Sequence, residues 1–233
     1  MARIVGREEA ASNSVTLILK PNRHVVMPQA GQHISVASEI NGVRVARSYS
    51  TSLVPDQPGL LAITVKQVEG GRLSNWLCLQ AREGDVLYLG QPFGKFQWPA
   101  LQQPVLLLAA GSGITPMISL LRQYARQAAK GGLFPSKQTV QLHYWVRRRE
   151  EACFIEELLA LPKIQPNFSL HLYLTRQDHT QQEQRQPYER SGRIEASQFA
   201  QQEDLKNSHV LACGPAGFVG SAQQILQVQV ASF

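Results

Sequence analysis

Up to about residue 100 the apolar positions come in short runs of β-forming residues, and beyond it they gather into longer apolar runs separated by helix-period stretches. The runs SVTLILK (14–20), GQHISVAS (31–38), VRVARSYS (43–50), LLAITVKQV (60–68) and DVLYLG (85–90) are divided by Gly, Pro and Asn at spacings that fit an antiparallel barrel. Downstream, VLLLAA (105–110), VQLHYWV (140–146), FSLHLYL (168–174) and HVLAC (209–213) alternate with helical segments, which predicts right-handed βαβ units and a parallel sheet. Met117, Ile118, Leu121, Tyr124 and Ala125 share one face of the first of these helices, as Phe218, Val219, Ala222, Ile225 and Leu226 do in the last. Both faces read as sheet-packing core. The Gln-rich segment 177–192 reads as a long surface loop, and 99–104 as the linker between two domains.

Two strand ends carry turns suited to phosphate. After VLLLAA, Gly111 and Gly113 let the backbone approach an anion, Thr115 is placed to cap the helix, and Pro116 suits the first helical position. After HVLAC comes a second such turn, Cys213-Gly214-Pro215. The barrel half has its own cluster. Arg47-Ser48-Tyr49-Ser50 groups a cation able to fork onto a diphosphate, an aromatic face able to cover a flat ring, and hydroxyls able to bond a ring nitrogen. Gly70-Gly71-Arg72-Leu73-Ser74 then opens a helix with apolar Leu73, Trp76 and Leu77, leaving first-turn amides and the Ser74 hydroxyl for an anion. Each piece alone is also what an ordinary turn or half-buried strand looks like; their joint order carries the functional reading.

Composition narrows the class. At 43% hydrophobic and 17% charged the chain is an ordinary globular protein, and no run approaches the roughly 20 apolar residues that cross a bilayer. The N-terminal MARIVGREEA has no apolar segment of the kind a secretory signal requires, so a cytoplasmic protein is expected. Cys78, Cys153 and Cys213 lie too far apart for a disulfide framework, a zinc knuckle or a plant-type iron–sulfur cluster. The net charge of +6 favours an acidic partner or anionic cofactor, but no basic stripe interleaved with aromatics points to nucleic acid. Six scattered histidines form no triad or metal pattern, and no metal is expected.

The chain resembles the ferredoxin-NADP reductase superfamily along nearly its whole length. The resemblance rests on R-x-Y-S at 47–50, V-K at Val65 and Lys66, GGRLSNWL at 70–77, G-D at 84–85, PFGKF at 92–96, GSGITP at 111–116 and C-G-P at 213–215. It implies a Greek-key FAD barrel over residues 1–101 and an NAD(P)H-binding α/β domain with a five-stranded parallel sheet over 102–233. By motif, Arg47 holds the FAD diphosphate with Gly71 and Ser74, Tyr49 packs on the isoalloxazine or ribityl part, and Ser50 lies near flavin N5. Val65, Lys66, Gly70, Arg72 and Leu73 fall within the same cofactor-binding motifs. Gly111, Gly113, Thr115 and Pro116 hold the nicotinamide nucleotide with Gly214 and Pro215, and Cys213 sits by the carbon that gives up hydride. Ser50 and Cys213 are thus the expected catalytic pair. A C-terminal aromatic covers the flavin in relatives, a role open to Phe233.

The resemblance is nearest to reductases serving oxygenases, desaturases and hybrid-cluster proteins. Those often continue into a ferredoxin domain, whereas this sequence stops at VQVASF without cluster cysteines, so either the ferredoxin is a separate protein or this sequence represents a truncated form. The expected protein is a monomeric NAD(P)H-dependent FAD reductase that serves a separate ferredoxin or iron–sulfur/oxygenase acceptor. The alternatives are a free-flavin or small-oxidant reductase, and a noncatalytic electron-transfer or regulatory subunit. Arg147 and Arg148 after the second parallel strand, and Arg176 after the next, can receive a 2′-phosphate, which tilts the expectation from NADH to NADPH.

Overall fold

The structure is a computed structural model that describes residues 1–54, 57–99, 103–129, 138–176, 186–199, 205–227 and 230–232. Its first half is a closed antiparallel barrel in the order β1-β2-β5-β4-β3-β6, built from β1 (Ala2–Ala11), β2 (Ser14–Pro21), β3 (His33–Ile40), β4 (Val43–Leu53), β5 (Leu61–Lys66) and β6 (Val86–Phe93). Closure removes the exposed sheet edges and turns Ile4, Leu17, Leu19, Ile34, Val36, Ile63, Val65 and Leu87 into one core. Helix α1 (Arg72–Leu79) joins that core through buried Leu73 and Leu77. Five of the six strands coincide with the predicted runs. The sixth, β1, is broken in sequence by Gly6 and the charges of Arg7, Glu8 and Glu9, and its register with β2 shifts twice, so alternation alone does not reveal it.

The second half is a six-stranded parallel sheet in the order β10-β9-β8-β7-β11-β12. Its strands are β7 (Val105–Ala110), β8 (Val140–Val146), β9 (Phe168–Leu174), β10 (Glu189–Ser191), β11 (His209–Cys213) and β12 (Val230–Ser232). The expected parallel architecture is present, with one strand more than the five expected. Three-residue β10 pairs with β9 and arises inside the segment 177–192, of which 177–185 lie outside the described residues. The predicted linker contains 100–102, which also lie outside them. Both faces of β7 are covered, which is why its sequence reads as an unbroken apolar run. Leu107 and Ala109 pack with Met117, Ile118 and Leu121 of α2 (Ile114–Ala129), while Leu106 and Leu108 pack with Ala222 and Leu226 of α4 (Ala216–Leu226). A shorter α3 (Ile155–Ala160) follows β8.

The strand order places the site. From β7 the chain steps outward through β8, β9 and β10, then returns to the other side of β7 as β11. The carboxyl ends of β7 and β11 therefore flank a topological switch point, where open α/β sheets take their ligands.

Candidate functional site at the domain interface

At that switch point the two Gly turns meet. A side chain on Gly113 would begin where the Cys213 carbonyl oxygen lies, and a β-carbon on Gly214 would stand 2.9 Å from Ala110 Cβ and from Phe218 Cδ1. Gly111 adopts a left-handed φ of 56° in a 3₁₀ turn that runs straight into α2. That continuity corrects two expectations. Pro116 is the third residue of α2, where its missing N–H is still one of the unpaired first-turn donors. Thr115 lies within the first turn, not at the cap, and its buried hydroxyl donates to the Ser112 carbonyl at 3.0 Å.

A cleft of about 1380 Å³ opens over this point, between the barrel and the sheet. The barrel contributes Asn13, Lys66, Gly70 and Asn75; the sheet side contributes Gly111, Trp145, Arg147, Arg176, Arg193, Gly214, Pro215 and Phe218. Helix α4 begins at this cleft with no side-chain cap and no acidic residue in its first turn, so its amides and positive dipole end are left for an anion. The Trp145 indole packs at 4.5 Å from Tyr173 and at 5.2 Å from Phe218, measured between ring centroids. Its buried Nε1 has no hydrogen-bond acceptor among the described residues. The cleft thus offers cations, open amides and an unspent buried donor, which fits a nicotinamide dinucleotide.

The barrel motifs gather on β4 and the start of α1. Arg47 is exposed, with Nη1 donating to the Ala46 carbonyl at 2.7 Å. Tyr49 is half-buried against the barrel core, and burial together with neighbouring Cys78 pushes its phenol up to about 12 against the opposing pull of Arg47. Ser50 pairs in register with His33 of β3. Gly71 precedes α1, which like α4 has neither a side-chain cap nor an acid in its first turn, and a side chain on Gly71 would collide with the Ser74 hydroxyl. Arg72 donates to the Ile40 carbonyl at 3.3 Å. An exposed arginine beside an uncapped, glycine-cradled helix start fits the FAD diphosphate. Strand β4 packs on α2, which joins this region to the nucleotide side.

The structure therefore brings Lys66, Gly70, Gly111, Arg147, Arg176, Gly214 and Pro215 around one cleft, with Gly113 and Cys213 packed beneath it. Arg148 is exposed and does not line the cleft, a correction to the expected 2′-phosphate set that follows from the turn after β8. Val65 and Leu73 are buried in the barrel core, which leaves only their backbone to face a ligand. Phe233 lies outside the described residues. Burial pushes the Cys213 thiol up to about 12, which favours its protonated form. His143 is buried, its Nδ1 lies 3.0 Å from the Tyr173 hydroxyl, and burial with neighbouring His171 depresses it to about 3.

Three participants escaped the sequence reading. Arg193 and Trp145 line the cleft, and Glu151 bonds two of its cations. Arg193 follows the predicted surface loop 177–192, Trp145 lies in the predicted strand run 140–146, and Glu151, the second of two glutamates after three arginines, reads as surface charge. Only the long-range packing distinguishes them.

The fold and cleft are those of a two-domain flavin and nicotinamide oxidoreductase. Residues 3–98 match the oxidoreductase FAD-binding domain and residues 107–224 the oxidoreductase NAD-binding domain. The chain belongs to the oxidoreductases that join these two domains in a ferredoxin-reductase-like fold, and it binds FAD and a nicotinamide dinucleotide. It is 30% identical to an NADPH oxidoreductase of Mycobacterium tuberculosis over 96% of this chain and 55% of that one. It is 30% identical to a glycine betaine monooxygenase reductase subunit of Chromohalobacter salexigens over 84% of this chain and 51% of that one. The chain thus spans about half the length of these curated relatives. Among solved structures, the FAD/NAD-binding domain of nitric oxide dioxygenase from Vibrio cholerae superposes with a TM-score of 0.84 at 22% identity, covering 100% of this chain and 96% of that one. Phthalate dioxygenase reductase superposes with a TM-score of 0.71 at 23% identity, covering 100% and 66%. No helix among the described residues is long and apolar enough to cross a membrane.

Proposed function

We propose that the chain is the reductase unit of an electron-transfer pair, taking hydride from NADPH and delivering electrons to an iron–sulfur or oxygenase-type acceptor separate from these 233 residues. The observation that carries this reading is the cleft itself, which joins barrel residues Lys66 and Gly70 to both Gly turns of the sheet. The printed roles of the relatives, an NADPH oxidoreductase and a monooxygenase reductase subunit, point the same way. FAD, when bound, accepts a two-electron hydride and releases electrons singly.

The protein supplies binding and alignment. Arg47, Gly71, Arg72 and Ser74 hold the FAD diphosphate, and Tyr49 covers the ring system or ribityl chain. Ser50 and Cys213 border the hydride path from the two domains, taken as residues 1–101 and 102–233. Gly111, Gly113 and the start of α4 hold the nicotinamide nucleotide. Arg176 and Arg193, which border the cleft, receive the 2′-phosphate that sets NADPH above NADH. The unpaired buried thiols of Cys78 and Cys153 suit a reducing cytoplasm, where the chain acts as a monomer.

The test uses two acceptors. NADPH should reduce ferricyanide directly through the FAD-loaded protein. Cytochrome c should be reduced slowly until an acidic ferredoxin is added, and that rate should fall with ionic strength as the positive surface is screened. Fast cytochrome c reduction without a carrier counts against the separate acceptor.

A further inference from the structure

We propose that Glu151 is a positioning residue that presents Lys66 and Arg147 to the nucleotide phosphates and clasps the two domains in doing so; the inference rests on the oxidoreductase reading above. One carboxylate receives three groups from both halves of the chain. Lys66 Nζ approaches at 3.0 Å and Asn13 Nδ2 at 3.3 Å from the barrel, and Arg147 Nε at 3.0 Å from the nucleotide domain. Beside them the Ser12 amide donates to the Glu150 carbonyl at 2.9 Å, fastening the β1–β2 turn to the same place.

Asn13, Lys66 and Arg147 line the cleft, whereas Glu151 stands behind them, only 9% exposed. A buried carboxylate is costly unless paired. Burial works against the Glu151 charge, yet hydrogen bonds from Lys66 and Arg147 hold its carboxyl below the ordinary range. The chain around it is fixed on both sides. Residues Arg149–Glu151 form a 3₁₀ turn, the Cys153 amide donates to the fully buried Tyr144 hydroxyl at 3.2 Å, and Phe154 takes a left-handed φ of 62° that bulky residues rarely adopt. Strain of that kind persists where surrounding packing fixes the chain.

Two cations on one anion leave a positive pair at the cleft wall, and Lys66 Nζ lies 3.9 Å from where a β-carbon on Gly111 would stand. Lysine has three N–H donors and arginine five, so each can bond a phosphate oxygen without leaving Glu151. Without that carboxylate the two cations repel each other and lose their common direction.

The experiment is calorimetric titration of the FAD-loaded protein with NADP⁺ at fixed ionic strength, alongside FAD content and the thermal unfolding midpoint. Glu151→Gln keeps the shape and removes the charge; it should weaken NADP⁺ binding about tenfold, because charge-assisted bonds are roughly twice as strong as neutral ones. Glu151→Asp, which keeps the charge on a shorter stem, should weaken binding about three- to fivefold, between the Gln variant and wild type. On a Lys66→Met background, Glu151→Gln should add a smaller loss than it causes in wild type, the remainder being the part carried by Arg147. Should the Gln variant fail to fold, the Asp variant decides: an affinity within twofold of wild type overturns the proposal. It is also overturned if the Glu151 and Lys66 losses add, or if affinity falls only in step with FAD content and unfolding midpoint. Absence of any NADP⁺ or NAD⁺ binding to wild type overturns the oxidoreductase reading, and the clasp with it.

Discussion

The carbonyl oxygen of Cys213 occupies the space in which a side chain on Gly113 would begin, so the two Gly turns of the parallel sheet pack backbone against backbone. A carbonyl held in a strand end cannot swing aside as a flexible side chain can. Gly113→Ala should therefore force β7 and β11 apart at the cleft, lowering stability by about 1–3 kcal/mol as overpacked sites do and weakening nucleotide binding as well. Urea unfolding and NADP⁺ titration check both, and an unchanged midpoint would show that the turns are not in close contact.

Arg47 stands exposed on β4 and, among the described residues, bonds a neighbouring carbonyl alone, which leaves most of its guanidinium donors for the FAD diphosphate. Arg47→Ala should raise the FAD dissociation constant by the equivalent of about 1.5–3 kcal/mol, the range for a hydrogen bond to a charged group. Reconstitution of the apoprotein with FAD, followed by fluorescence quenching, measures this directly. Retention equal to wild type would remove Arg47 from the diphosphate site.

Ser50→Ala and Cys213→Ala should slow flavin reduction at saturating NADPH more than they weaken FAD binding, because they are assigned to alignment, not to retention. The Cys213 thiol, raised from 9.0 to about 12 by burial, stays protonated across the working range. Its folded pKa lies above the unfolded one, so its contribution to stability is complete below pH 9 and is lost as pH rises toward 12. The stopped-flow rate should accordingly show no inflection from this thiol between about pH 6 and 9, well below the range where it titrates. A rate that rises with pH and loses that rise in Cys213→Ala would make it a thiolate after all.

For nucleotide choice the cleft separates the arginines. Arg176→Ala and Arg193→Ala should each lower kcat/KM for NADPH about tenfold or more while changing NADH little, as expected for loss of a charged contact to phosphate. Arg148→Ala, outside the cleft, should change neither. A kcat/KM ratio that shifts only in the Arg148 variant would return the 2′-phosphate to the turn after β8.

Acid should loosen the interface before it unfolds the barrel. Glu151 is held below its ordinary value of 4.5 by Lys66 and Arg147 despite burial, so the ion pairs contribute their full stabilisation above that value and lose it as pH falls through the folded one. Hydrogen exchange of the Ser12 amide, which bonds across the interface, should therefore quicken relative to barrel amides below about pH 4.5. Parallel protection of both would mean that the clasp does not govern this contact.

The alternating and continuous apolar runs determined five barrel strands, four long parallel strands and the two Gly turns that follow β7 and β11, because side-chain period and glycine placement act locally. The motif order from Arg47 to Pro215 likewise determined the family and both cofactors. Tertiary structure alone decided what those local signals share. Strand β1, whose apolar period Gly6 and three charges interrupt, is fixed by pairing with β2 and β6 on either side. Strand order brought Gly113 against Cys213, a hundred residues away in the chain, and domain packing turned Glu151 from a surface charge into the partner of Lys66. A charge's role depends on what the fold buries beside it, and that neighbour is set by long-range contacts, not by spacing along the sequence.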